Sequence, residues 1–222
     1  MQTWLKDNGL TLALMGLFAV SLIGQAVTGF AHENDELREH GSRAVGLIAY
    51  LGSGAFLSAL FENWESEFLQ MWAFVMLTAY LYQRGSPESK DPDKAAAQDR
   101  DPRLDAARSS APLPVRLGGF ARAIYSHSLG LALFVLFVAA FVLHLINSAR
   151  LAADESEMHG DGHGLDLLAH LGEAQFWFES FQNWQSEFLS TAVLIVLAIY
   201  LRERSSPESK PVSAPHSKTG TD

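Results

Sequence analysis

The chain has 222 residues, a formal net charge of −9 and 48% hydrophobic residues. Its acidic balance, and the lack of a basic stripe interleaved with aromatic residues, exclude nucleic acid as a partner. The sequence contains no cysteine, which excludes disulfides, thiolate metal sites and cysteine catalysis.

The hydrophobic residues are concentrated in long runs. Residues 10–30 form a stretch of 21 residues without a charged side chain, and residues 127–147 lack Asp, Glu, Lys and Arg. A helix needs about 20 apolar residues to cross the hydrocarbon core of a bilayer. The sequence therefore predicts two spanning helices here, with the lipid bilayer as their surroundings.

An internal repeat organises the whole chain. When the sequence is shifted by 120 residues, residues 61–90 align with residues 181–210 without a gap, and 16 of these 30 positions are identical. The chain is therefore divided into a first repeat (1–90), a linker (91–120), a second repeat (121–210) and a tail (211–222). The linker and the tail are too polar to bury a core, and we expect both to be mobile.

Each repeat is predicted to contain a second spanning helix, over about 64–83 and about 184–203. These helices are expected to begin near Trp64 and Trp184, because the apolar stretches alone are shorter than a full crossing. Two spans return the chain to its starting side, so both copies have the same orientation. The predicted fold class is an all-α integral membrane protein with four transmembrane helices from two parallel tandem hairpin repeats.

One segment of each repeat allows two interpretations. Residues 44–61 are uncharged and could be counted as a span, but the equivalent residues 164–181 contain four titratable side chains. Such a segment is a poor span. We expect an amphipathic or re-entrant helix on the outer side in each repeat, and a six-span protein is the alternative.

Charge sets the predicted orientation. The segment 84–122 holds eight Lys or Arg residues, whereas the loop 31–43 holds two. Positive residues are enriched in cytoplasmic loops, so the linker and both termini are predicted to be cytoplasmic. This predicts a multi-pass protein of the cell (inner) membrane.

The most specific motif is Asn-Trp-x-Ser-Glu-Phe, which occurs once in each repeat. The candidate site residues are Asn63, Trp64, Ser66, Glu67, Asn183, Trp184, Ser186 and Glu187. In a structural interpretation, Asn caps the entering helix, Trp anchors the interface and Glu lies in the first turn. In a functional interpretation, the two glutamates form a paired carboxylate site for a proton or a cation. Gln25 and Gln70, each within an apolar stretch, are expected to hydrogen-bond to other helices.

Histidine and acidic residues form a second candidate site. His159, Asp161 and His163 could hold a divalent metal through nitrogen and carboxylate ligands. Their spacing matches none of the recognised zinc signatures, and a solvated acidic loop is the simpler interpretation. No nucleophile and base can be assembled, so we predict that the protein is not an enzyme and needs no cofactor.

The motif copies also carry a resemblance. With FENWESEFLQ and LYQRGSPESK in the first half, and FQNWQSEFLS and LRERSSPESK in the second, the chain resembles an uncharacterised family of small bacterial membrane proteins, classified as a domain of unknown function. The resemblance implies a bacterial cell membrane and brings no activity.

Three hypotheses for the function follow from these patterns. The favoured one is a non-catalytic membrane scaffold or interaction protein, whose partners are further copies of itself or other membrane proteins. The first alternative is a small ion channel or a proton-coupled transporter that uses Glu67 and Glu187. The second alternative is divalent-metal binding on the outer face.

Overall fold

The computed structural model of the chain describes residues 2–159 and 165–220. Over these residues the secondary structure is helical, without strands. The helices, in chain order, are α1 (Gln2–Asp7), α2 (Gly9–Glu39), α3 (Leu47–Leu51), α4 (Gly54–Tyr80), α5 (Leu113–Leu117), α6 (Gly119–Ser126), α7 (Ser128–His159), α8 (Leu167–Leu171) and α9 (Ala174–Tyr200). Two short 3-10 helices, Ala97–Asp99 and Pro102–Asp105, lie in the linker.

The chain forms two compact units. Unit 1 combines Met1–Leu60 with Leu143–His170, and unit 2 combines Phe61–Val142 with Leu171–Asp222. Each unit thus takes residues from both predicted repeats.

In unit 1, α3 packs on α2 through aromatic and polar contacts. The buried ring of Tyr50 lies 6.0 Å from the ring of Phe30 and 5.4 Å from that of Phe56, measured between centroids. The side chain of Asn34, also buried, accepts a hydrogen bond from the backbone N–H of Val45 at 2.8 Å. These contacts fix the connection that leads from α2 back towards α4.

The helices α2 and α7 are both long and apolar enough to cross a membrane. Both helices extend past the predicted spans. In α2 the acidic segment 31–39, which we expected to be a loop, continues the helix. Within this extension Arg38 pairs with Asp35 at 3.0 Å, and His32 lies 3.6 Å from Glu36. Side-chain pairs three and four residues apart support a helix in water, which accounts for the extension.

The helices α4 and α9 begin earlier than predicted. They start at Gly54 and Ala174, 120 residues apart, and not near Trp64 and Trp184. Both end on the tyrosines Tyr80 and Tyr200, three residues before the predicted ends. Residues 44–61, and the described part (165–181) of the equivalent segment, therefore each form one short helix, α3 or α8, followed by the first turns of the next long helix.

In unit 2, the Ser-Pro-Glu-Ser-Lys segments after α4 and α9 fold in the same way. The backbone N–H of Gln83 donates to the hydroxyl of Ser89 at 2.8 Å, and the N–H of Glu203 donates to the hydroxyl of Ser209 at 2.9 Å. The turn before each segment has a left-handed residue, Gly85 with φ +89° and Ser205 with φ +73°. We name these segments the 86–90 loop and the 206–210 loop.

Candidate functional site

The duplicated motif lies inside α4 and α9, about ten residues from the start of each helix. Asn63 and Asn183 therefore do not cap the helices, and Glu67 and Glu187 do not lie in the first turn, as the structural interpretation had them. Ser66 and Ser186 each donate to the carbonyl three residues earlier, at 2.8 Å in both copies. The motif is a helical surface and not a helix start.

The motif tryptophan of the second copy contacts an acidic residue of the first. The indole N–H of Trp184 donates to a carboxylate oxygen of Glu65 at 2.8 Å. Glu65 is fully buried, whereas its counterpart Gln185 is exposed. The side chain of Asn183 donates in the same way to the carboxylate of Glu62. These bonds link α4 to α9 at the motif.

An aromatic cluster surrounds Trp184. Its indole lies 5.3 Å from the ring of Phe181 and 6.3 Å from that of Phe137, between centroids. Phe176, which is fully buried, lies 5.5 Å from Phe141 in an edge-to-face arrangement that aromatic rings favour. The packing holds Trp184 at its bond with the buried carboxylate, so this tryptophan does more than mark an interface.

Glu67 and Glu187 are brought together by α4 and α9. Their carboxylates are close enough for their charges to interact, and both side chains keep part of their surface exposed. The side chain of Glu187 is the less exposed of the two. The structure thus places the two acidic residues common to both motif copies on facing sides of one helix pair.

One turn further along the helices, a second polar contact joins them. The side-chain amide of Gln70 donates to the hydroxyl of Thr191 at 2.7 Å. The sequence-based expectation of an interhelical hydrogen bond for Gln70 is confirmed. The hydroxyl of Thr191 itself donates to the backbone carbonyl of Glu187 at 3.0 Å, which connects this contact to the carboxylate pair.

A groove of about 360 Å³ lies between α4 and α9 beyond this contact. Its walls are mainly apolar, with Phe74 of α4 and Ile195 of α9 among them, and Thr78 adds a hydroxyl. The groove reaches from the Gln70 end to Glu88 in the 86–90 loop. We name the helix contact from Glu67 to Glu88 the α4–α9 seam.

The candidate metal site cannot be placed. Asp161 and His163 lie outside the described residues, and so does the side chain of His159. Over the part of the chain that the structure describes, no group of three or more possible metal ligands occurs. The nearby His170 is buried in unit 1, where its ring nitrogen Nε2 lies 2.9 Å from the hydroxyl of Ser148.

Glu62 and Glu65 were not predicted as site residues from the sequence. Both are replaced by glutamine in the second copy, and only acidic residues common to both copies were considered candidates. The exchange was itself the available signal, because a contact between two different copies needs complementary and not identical side chains. Glu88, at the end of the seam, was missed because candidate residues were sought only in the duplicated motif and in the histidine-containing acidic loop.

The comparisons with known proteins give a family without an activity. No curated protein and no solved structure matches the chain. A family model described as "Domain of unknown function" (DUF6766) matches residues 1–221, so the chain belongs to this family.

Proposed function

We propose that the protein is a multi-pass membrane protein that carries protons or monovalent cations along the α4–α9 seam. The observation that carries this proposal is the groove of about 360 Å³ between the two helices, with polar groups at both of its ends. The sequence alone favoured a scaffold. The groove is open on one side, and it favours a path because it keeps polar groups within an otherwise apolar helix contact.

The charge at the Glu67 end of the seam suits a small cation. Two carboxylates that repel each other attract a positive ion between them, and the attraction is strongest where water is partly excluded. Carboxylates are costly within a bilayer, by about 2.5 to 3.5 kcal/mol for Asp at a helix centre, so their presence there points to function. We therefore assign Glu67 and Glu187 to the entry of the seam.

The size of the groove suits a hydrated path. The groove is large enough to hold several water molecules. The hydroxyls of Thr191 and Thr78 and the amide of Gln70 supply hydrogen-bonding groups along otherwise apolar walls. A few polar groups in an apolar passage are a common way to conduct small ions.

The proposed topology has four spans, with both termini in the cytoplasm of a bacterial cell. Two of the spans would be α2 and α7, which are long and apolar enough to cross a membrane. The other two would be α4 and α9, which have 27 residues each and are thus about 40 Å long. The loops after α4 and α9 carry the positive charge that favours the cytoplasmic side. The Glu67 end of the seam, halfway along α4, would then be the end nearer the outer side.

Flux measurements on the purified protein in liposomes test the proposal. We expect proton or monovalent-cation flux under an imposed potential, and its loss in the double variant Glu67→Gln/Glu187→Gln. The matched control is Glu36→Gln/Glu39→Gln, which removes the same charge from the exposed end of α2, outside unit 2. This control should conduct like the wild type.

Two outcomes would overturn the proposal. If folded wild-type protein conducts neither protons nor monovalent cations, the seam is a packing contact and the scaffold hypothesis takes its place. If the Glu67→Gln/Glu187→Gln variant conducts as well as the wild type, conduction does not use these carboxylates.

A further inference from the structure

The two loops that follow α4 and α9 bring a second pair of glutamates together. Glu88 and Glu208 occupy the same position in the 86–90 and 206–210 loops, and both line one polar cavity, close enough for a hydrogen bond between their carboxyl groups. Two ionised carboxylates have no donor between them, so this bond requires a proton on one of the two groups. A proton shared by the pair would therefore hold the two loops together.

The pair lies where two cavities meet. Thr78, Glu88 and Ser89 line both the apolar groove of the seam and a polar cavity of about 650 Å³. The polar cavity is also lined by Glu208 and Thr219. The carboxyl pair thus lies where the groove and the polar cavity share their lining.

The tail, residues 205–220, is attached to the 86–90 loop next to this pair. The backbone N–H of Gly85 donates to the hydroxyl of Thr219 at 2.8 Å, and the N–H of Gly220 donates to the carbonyl of Ser86 at 3.0 Å. The buried ammonium of Lys210 donates to the carbonyl of His216 at 2.8 Å, which folds the tail on itself. A few hydrogen bonds thus hold the tail, and the carboxyl pair is one of them.

We propose that Glu88 and Glu208 form a one-proton site, and that this proton fastens the tail over the polar cavity at the end of the α4–α9 seam. The inference rests on the proposed function in one respect, namely that the seam is a path whose exit the tail then controls. With the proton bound, the carboxyl pair joins the tail to the 86–90 loop. Without it, two negative charges push them apart.

The titration range follows from the surroundings of Glu88. Burial, together with the hydrogen bond and the charge of Glu208, raises the pKa of Glu88 from its ordinary value of 4.5 to about 7. The other charged residues of the polar cavity are Lys90, Asp91, Lys94 and Asp99. These form two ion pairs among themselves, Lys90 with Asp99 at 2.7 Å and Lys94 with Asp91 at 3.2 Å. The neighbouring lysines are thus engaged with the aspartates of the linker.

A rise in pH should open the tail. When the tail is open, Glu88 loses its burial and its partner, so its pKa falls back towards the ordinary value. Below about pH 4.5 both forms hold the proton, and the closed tail has its full advantage. Between about pH 4.5 and 7 the open form alone releases the proton, so the closed tail is progressively lost. Above about pH 7 no further change is expected.

Spin-label distances in the full-length protein test this inference. The chain has no native cysteine, so Tyr80→Cys at the end of α4 and Ser217→Cys in the tail take two nitroxide labels at exposed positions. We expect one narrow distance distribution at pH 5 and a broad one at pH 8. Because one pKa unit is a factor of ten, the ratio of closed to open tail should fall by at least about tenfold.

Isosteric variants identify the group that titrates. In Glu88→Gln the amide can donate to Glu208 at every pH, so the narrow distribution should persist to pH 8. The matched control Glu203→Gln removes a different exposed carboxylate next to the same loop and should keep the wild-type pH response. A distribution in the wild type that does not change with pH, or a Glu88→Gln variant that still opens at pH 8, would overturn the inference.

This test separates the inference from the proposed function. The distance distributions report the tail whether or not any ion crosses the membrane. If the tail responds to pH in a protein without flux, the one-proton site is supported and the proposed conduction path is wrong. If the protein conducts but its tail does not respond to pH, the proposed conduction path is supported and the one-proton site is wrong.

Discussion

Replacing Gly54 by alanine should loosen the packing of unit 1. Gly54 is the first residue of α4 and lies against α7. A Cβ atom added here would meet the backbone nitrogen of Leu151 at 2.7 Å and the backbone carbonyl oxygen of Asn147 at 2.9 Å. Both atoms belong to the backbone of α7, so no side chain can rotate away to make room.

The size of the effect follows from these distances. An ordinary contact of a methyl carbon needs about 3.4 Å or more, so the two helix backbones must move apart by several tenths of an ångström. Overpacking of this kind costs about 1 to 3 kcal/mol. The replacement of glycine by alanine in a helix stabilises the folded chain by at most about 0.5 to 1 kcal/mol. We expect a net loss of about 1 to 2 kcal/mol, which for a chain of this length lowers Tm by about 2 to 8 °C.

Thermal unfolding in detergent, followed by circular dichroism, measures this loss. Gly24→Ala is the matched control, because Gly24 lies within α2 of the same unit and a Cβ there meets nothing within 4 Å. The control should melt at or slightly above the wild-type temperature. If Gly54→Ala melts no lower than the wild type, or if Gly24→Ala loses as much, the close approach of α4 to α7 is not what this glycine serves.

Two further substitutions test unit 2. Glu65→Leu leaves the indole N–H of Trp184 without its carboxylate acceptor and should lower the free energy of unfolding by about 1 to 3 kcal/mol. Glu65→Gln keeps an acceptor oxygen, so its free energy of unfolding should fall by less. Equal losses for the two variants in denaturant unfolding would argue against this bond. Gly85→Ala should release the tail, because φ is +89° and the added Cβ would lie 2.9 Å from the carbonyl oxygen of His216. Trypsin should then cleave the tail faster than in Ser205→Gly, which relieves a left-handed residue, and equal rates would contradict this role of Gly85.

The sequence was most informative about the apolar helices. The run 10–30 lies within α2 and the run 127–147 coincides closely with the apolar part of α7, because an uninterrupted apolar stretch has few alternatives to a helix. The ends of α2 could not be predicted in the same way. The residues 31–39 are mostly polar, and their helix depends on side-chain pairs, on the contact of Asn34 with Val45 and on the helix that precedes them.

The starts of α4 and α9 were wrong for a different reason. Hydrophobic length was used to place them, and the first ten residues of each helix contain glycine, serine or charged side chains that do not look like a span. These residues are helical because their surroundings support them, as at Gly54, whose missing side chain permits contact with α7. Such tertiary contacts are not visible in a local pattern.

The polar contacts of the seam show why a repeat identifies a region better than it identifies a site. Two related helices that face each other place some residues opposite their own counterparts, as with Glu67 and Glu187, and others opposite non-equivalent partners, as with Glu65 and Trp184. A symmetrical pair would need a second buried carboxylate at Gln185, and each buried charge costs several kcal/mol unless it is well paired. Glutamine at that position avoids the cost and leaves the first contact intact. In the polar loops beyond the helices that cost is smaller, and there the equivalent residues Glu88 and Glu208 are both acidic and meet each other directly.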